Sequence, residues 1–254
     1  MTVPLIIQAG LWGALAGAAL VIGAGLAWFL TIPARIIAAI MAFGSGVLIS
    51  ALSFDLMDEA YRTGGFDSTS IGFLAGAAVY TGANIYLSRR GAKHRKRSGH
   101  SSDAKQPSDT GSGLAIAVGA LLDGIPESIV IGVTMIRGGA VSFVAVIAIF
   151  LSNIPEGLSS AAGMKRAGRS AGYVFGLWTG IALISGVASL IGYGVFASFS
   201  GEVIAATEAV AAGAILAMLS DTMVPEAFEV AHDYAGLITV AGFLSAFILS
   251  KLGG

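Results

Sequence analysis

The stretches LLDGIPES (121–128) and FLSNIPEG (150–157) each set a proline and a glutamate inside a long apolar run. Proline in a helix interior removes a backbone donor and releases the carbonyl four residues earlier. Here those carbonyls belong to Leu122 and Leu151. A spanning helix tolerates such a break because neighbouring helices, hydroxyls or water satisfy the released group. The flanking sequence is apolar far enough on both sides to predict two spanning helices, at 113–136 and 139–163.

The rest of the chain extends this reading. Of 254 residues 56% are hydrophobic and only 11% are charged, whereas a soluble domain carries about 25% charged residues. Too little charge remains to cover a surface facing water. The 36 glycines suit helices that approach closely in a bilayer. A crossing takes about 20 apolar residues. The further candidates are 5–29, 35–60, 70–88, 170–197, 203–225 and 234–252, which makes eight with the central pair. The expected fold is therefore all-α and integral to the membrane, one transmembrane domain over 1–254. The first segment has no basic stretch before it and is read as a retained helix, not a signal peptide. The absence of Cys excludes disulfides and thiolate metal sites.

Basic residues cluster in the polar stretch 89–112, where Ser, Gly, Lys and Arg predict a disordered loop. Lys and Arg gather on the cytoplasmic side of membrane proteins. Placing the loop inside puts all but Arg62, Arg137 and Lys251 of the 14 basic residues there, with both termini external. His94 and His100 fall in this loop, which is read as a solvated segment touching anionic lipid. The expected location is the cell (inner) membrane of a prokaryote, with the lipid bilayer as partner and no nucleic acid.

Two stretches repeat. AFGSGVLISALSFDLMDEA (42–60) and AVAAGAILAMLSDTMVPEA (209–227) match at Ala42, Gly46, Ser53, Glu59 and Ala60 with an offset of 167 (209 − 42). The two Ile-Pro-Glu motifs repeat on the central pair. Together these predict a 3+2+3 arrangement of inverted repeats, a common plan of transporters.

Asp123 and Glu127 are spaced i, i+4 and share a helix face. Asn153 and Glu156 are spaced i, i+3, with Ser152 one turn before Glu156. Ionisable groups within a membrane are costly and face a cavity or a partner. No Lys or Arg lies in the apolar body of either helix, so a cation or protons must offset Asp123, Glu127 and Glu156. Carboxylates, an amide and released carbonyls are the ligands of a hard cation. Asp221, before Pro225, is a further candidate ligand. Asp55 is a candidate at the entrance and Ser152 a supporting hydroxyl. Glu226, Glu229 and His232 are expected at the cytoplasmic exit or in solvent, Glu202 and Glu208 in a solvated turn, and Asp58 and Glu59 at a helix boundary. Trp12, Trp28 and Trp178 are expected to serve the interface or packing.

The paired Pro-Glu motifs, the eight segments and the polar loop after the third resemble the ZIP (Zrt-, Irt-like protein) metal transporters over nearly the whole chain. That family's fourth helix reads His-Asn-x-Pro-Glu-Gly, its fifth His-x-x-Pro-Glu, and its seventh His-Glu-x-x-Pro-Glu. DGIPES places Asp123 at the first histidine, Gly124 at the asparagine and Glu127 at the glutamate. SNIPEG offers Ser152 or Asn153 before Glu156, and DTMVPE offers Asp221 before Pro225 and Glu226. The resemblance implies transport of Zn²⁺ through a metal centre between the fourth and fifth helices, by a monomer or a homodimer, with no cofactor and no enzymatic activity. The missing intramembrane histidines shift the ligand set toward oxygen, which suits Mn²⁺ and, for the chain's selectivity, leaves Fe²⁺ open beside Zn²⁺. The alternatives are a metal sensor or membrane scaffold without transport, and a proton-coupled carrier of another solute. An intramembrane zinc hydrolase is disfavoured, since no histidine lies in a predicted helix.

Overall fold

The computed structural model describes residues 3–89 and 111–252, with the backbone course alone for 111–117, 137 and 138. Helices account for nearly all of it, and there is no strand among the described residues. In chain order they are α1 (Leu5–Phe29), α2 (Ala34–Ala51), α3 (Met57–Leu87), α4 (Gly111–Gly138), α5 (Phe143–Arg166), α6 (Ala171–Phe196), α7 (Gly201–Met218), α8 (Val224–Ala231) and α9 (Ala235–Leu252). Nearly all of the basic stretch 89–112, with His94 and His100, lies outside the described residues.

Among the described residues, six helical stretches are long and apolar enough to cross a membrane, the make-up of a multi-pass membrane protein. Two of them, Ala34–Leu87 and Gly201–Leu252, are 54 and 52 residues long. At about 1.5 Å per residue either would be more than twice the thickness of a bilayer's hydrocarbon core. Each is bent where the backbone leaves the helical region. Gly65 breaks α3 at φ 70 and ψ −175, and His232 takes φ 44 between α8 and α9. The sequence reading placed an irregular connection over 61–69. The break at Gly65 falls inside that stretch and separates two helices, one on each side of it.

Continuous turns of π-helix join α2 to α3 and α7 to α8. They span Leu52–Leu56 and Leu219–Met223, 167 residues apart (219 − 52). That is the offset of the sequence repeat. A π turn is rare and marks a place where the helical register is changed for a purpose. The side chains follow the same offset. Asn84 Nδ2 donates to Asp221 Oδ2 at 3.3 Å, while at the matching positions Lys251 lies over the Phe54 ring at 5.6 Å.

The helices pack mainly as α1 on α5 and α6, α2 on α9, α3 on α7, and α4 on α6. Four of these contacts are close enough to require glycine on both sides. A methyl on Gly46 would overlap the Thr239 carbonyl, and one on Gly242 would overlap that of Phe43. Gly76 and Gly213 do the same between α3 and α7, Gly23 and Gly157 between α1 and α5, and Gly132 and Gly192 between α4 and α6. Small residues thus sit at the closest helix contacts, whereas large aliphatics such as Leu183 (64% exposed) and Leu237 (70%) point outward. In hydrocarbon that distribution is favourable, since packing and not water exclusion holds the helices together.

Gly213→Val should therefore abolish the α3–α7 contact and lower the thermal stability of the detergent-solubilised protein by at least the 1–3 kcal/mol typical of overpacking. Gly176, with open space around its Cα, serves as the control. Gly176→Ala should leave unfolding within about 0.5 kcal/mol of wild type.

Candidate functional site

Both prolines sit inside continuous helices, Pro126 in α4 and Pro155 in α5. The polar residues around them turn inward. Asp123 and Glu127 are each 2% exposed, Ser152 2%, Asn153 5% and Glu156 7%. No Lys, Arg or His is buried among the described residues. The structure therefore puts the predicted carboxylates in the interior and the cations at the periphery.

Each polar group has a definite attachment. The Tyr80 hydroxyl donates to Asp123 Oδ1 at 2.7 Å, tying α3 to α4. Asn153 Nδ2 donates to the Ala16 carbonyl at 3.0 Å, tying α5 to α1. That bond uses the amide's donor and leaves its carbonyl oxygen as the group able to ligate a cation. Ser152 donates back to the Ile149 carbonyl at 2.9 Å. Ser152 also borders α2 closely: a Cβ built on Gly44 would lie 3.4 Å from Ser152 Cα and 3.8 Å from Met223 Cε in the second π turn. The level of Ser152 is thus a meeting point of α2, α5 and the irregular turn after α7.

Two expectations change. Glu226 is not solvated: it is 7% exposed and accepts a 2.7 Å hydrogen bond from Ser159 Oγ on α5. Ser159 lies one turn beyond Glu156, so α5 carries a continuous polar face toward α8. Glu208 is likewise buried, at 2% exposed, and not in a solvated turn. Both signals were present as periodicity. Leu219, Met223 and Glu226 fall at i, i+4 and i+7 on one buried face, and Ile204, Glu208, Ala211 and Ile215 do so on α7. Tyr80 was missed for the same reason, since Thr69, Gly72, Gly76 and Tyr80 form the buried stripe of α3.

Asp221 lies on the other side of its helix from Glu226. It is exposed and bonded to Asn84. Asp55 sits in the first π turn, half-buried, where Ser250 Oγ of α9 donates to its Oδ1 at 3.0 Å. Its Oδ2 is buried without a hydrogen-bond partner. Asp58 pairs with Arg62 at 2.8 Å on the surface, and Glu59, Glu202, Glu229 and His232 are exposed.

The predicted residues do not close into one ligand cage. No group of three or more His, Asp or Glu side chains is placed to hold a metal among the described residues. α4 and α5 touch only over a short stretch, with α4 resting on α6 and α7 and α5 on α1 and α2. A cleft of about 180 Å³ opens between α3, α4 and α7, lined by Tyr80, Leu122, Pro126 and Val210 among others. Leu122, whose carbonyl Pro126 releases, is thus on its wall.

Compared with models of known protein families and with curated proteins, the chain matches none.

Tyr80→Phe leaves a buried carboxylate with one donor fewer. A lost partner of this kind costs about 1–3 kcal/mol. The expected outcome is a lower unfolding temperature in detergent, with the helical content of the folded state unchanged by circular dichroism.

Proposed function

We propose that this chain is a divalent metal-ion transporter of the ZIP type, with Asp123, Glu127, Asn153 and Glu156 as the principal stations of the ion. The observation that carries the reading is the burial of three carboxylates on the proline-bearing turns of α4 and α5, with no Lys, Arg or His buried among the described residues. A cation passing between such groups meets oxygen ligands and charge of the opposite sign. Glu226 and Ser159 extend this polar route toward α8, and Asp221 joins it only through movement of the second π turn. Asp55, in the matching π turn, is the entrance group. For passage the ion must be held well enough to enter and weakly enough to leave, and a route of separated carboxylates serves that better than a closed cage.

The proposed architecture has eight crossings. Gly65 and His232 divide the two longest helical stretches, and the π turns, the glycine contacts and the sequence offset support the 3+2+3 inverted repeat. In this reading both termini are external, the basic stretch is cytoplasmic, and the protein works in a prokaryotic inner membrane as a monomer or homodimer. The ion is Zn²⁺ by family resemblance, with Mn²⁺ and Fe²⁺ suited to the oxygen-rich ligands. No cofactor and no enzymatic step are proposed.

One observation favours a second reading. Carboxylates bonded to hydroxyls, Asp123 with Tyr80 and Glu226 with Ser159, and the lack of a three-ligand group also suit a proton-coupled carrier or a non-transporting sensor or scaffold. Proteoliposomes separate these. Wild type should accumulate at least one of Zn²⁺, Mn²⁺ and Fe²⁺, and Glu127→Gln should lose most of that uptake while reconstituting normally. A proton flux without metal flux, or no flux of either, would favour the second reading.

A further inference from the structure

At the end of the bundle where α1 turns into α2, a pocket of about 370 Å³ is lined by Ala27, Leu30, Ile32, Ile37, Leu158 and Ala162, with Thr31, Lys165 and Arg166 completing it. None of these lining residues is acidic. Its chemistry is the reverse of the carboxylate route, since two cations here would repel a metal ion. Any occupant of this pocket would therefore differ in charge from one of the carboxylate route.

Its surroundings identify the level in the bilayer. Lys165 Nζ donates to the Trp28 carbonyl at 2.6 Å and lies 5.5 Å from the centre of the Trp28 ring. Trp28 meets Phe175 edge to face, Phe175 stacks on Phe29, and Arg169 covers Tyr173 at 5.4 Å. Aromatic rings interleaved with Lys and Arg are the belt that marks the boundary between hydrocarbon and water. Outward-facing Phe29 and Leu30 continue the apolar wall to the surface. A molecule entering here meets aliphatic walls below the belt, and a hydroxyl and two cations at it.

We propose that this pocket binds the headgroup and upper acyl chain of an anionic phospholipid. Basic pockets between membrane helices bind acidic headgroups, and the aliphatic lining gives this one a place for the chain that a free anion would not need. Lys165 and Arg166 hold the phosphate, with Thr31 as an added donor. Because Lys165 is anchored on α1 and α5 together, the lipid bridges the two helices and steadies the end of α5, which also carries Glu156. The inference is independent of whether the chain carries metal.

Trp28 provides the readout. The full chain, reconstituted in phosphatidylcholine, is titrated with brominated phosphatidylglycerol or brominated phosphatidylcholine, and the quenching of tryptophan fluorescence is followed. The anionic lipid should quench at a lower mole fraction, and the preference should disappear in Trp28→Phe. Arg166→Gln, and separately Lys165→Gln, should each weaken the preference roughly fivefold, the effect of one cation at a membrane surface. Lys165→Arg should retain it, and serves if the glutamine variants do not fold. Equal quenching by the two lipids, or a preference unchanged in Arg166→Gln, would overturn the proposal. So would a preference abolished by millimolar inorganic phosphate, which would make this a free-anion site.

Discussion

A carboxylate in a low-dielectric interior must be offset by something, and most of this structure follows from where that is done. Asp123, Glu127, Glu156, Glu208 and Glu226 are buried in a bundle of helices, while no Lys or Arg is buried among the described residues. Hydroxyls take part of the load: Tyr80 reaches Asp123 and Ser159 reaches Glu226. A neutral hydroxyl stabilises a negative charge less than a cation does. The carboxylates at the two prolines are groups with which a passing cation or a proton can interact, and this is the physical basis of the transport reading.

The packing allows such groups to be buried at all. Paired glycines bring α1 to α5, α2 to α9, α3 to α7 and α4 to α6 at backbone contact. These contacts hold the outer helices by dispersion and leave the interior face of α4 and α5 to polar side chains. The two π turns then shift the register of α2 and α7 at equivalent points, one beside Asp55 and the other beside Asp221 and Glu226. Irregular helix within a membrane is tolerated where it lines a protein interior and not lipid. Its repetition at the sequence offset ties the irregularity to the repeated unit and not to local accident.

Much of this was legible in the sequence because membrane helices obey a severe length and polarity constraint. The apolar runs, the inward carboxylates of the Pro-Glu motifs and the offset of 167 all follow from that constraint. The break within 61–69 was legible too, although helical turns continue up to Gly65 and resume after it. Glu208 and Glu226 were misplaced because their distance from the apolar centre was weighed above their position on the buried face. The buried stripe of α3 made Tyr80 legible as an inward residue, but its pairing with Asp123, 43 residues away, has no local pattern to announce it.

Binding of Mn²⁺ to the purified chain, followed by electron paramagnetic resonance, tests the central claim most directly because it needs neither flux nor an assigned direction. The account predicts saturable binding in an oxygen-ligand environment, weakened in Glu127→Gln and in Glu156→Gln and reversed by competing Zn²⁺. Absence of saturable binding, or binding that survives both substitutions unchanged, would contradict it.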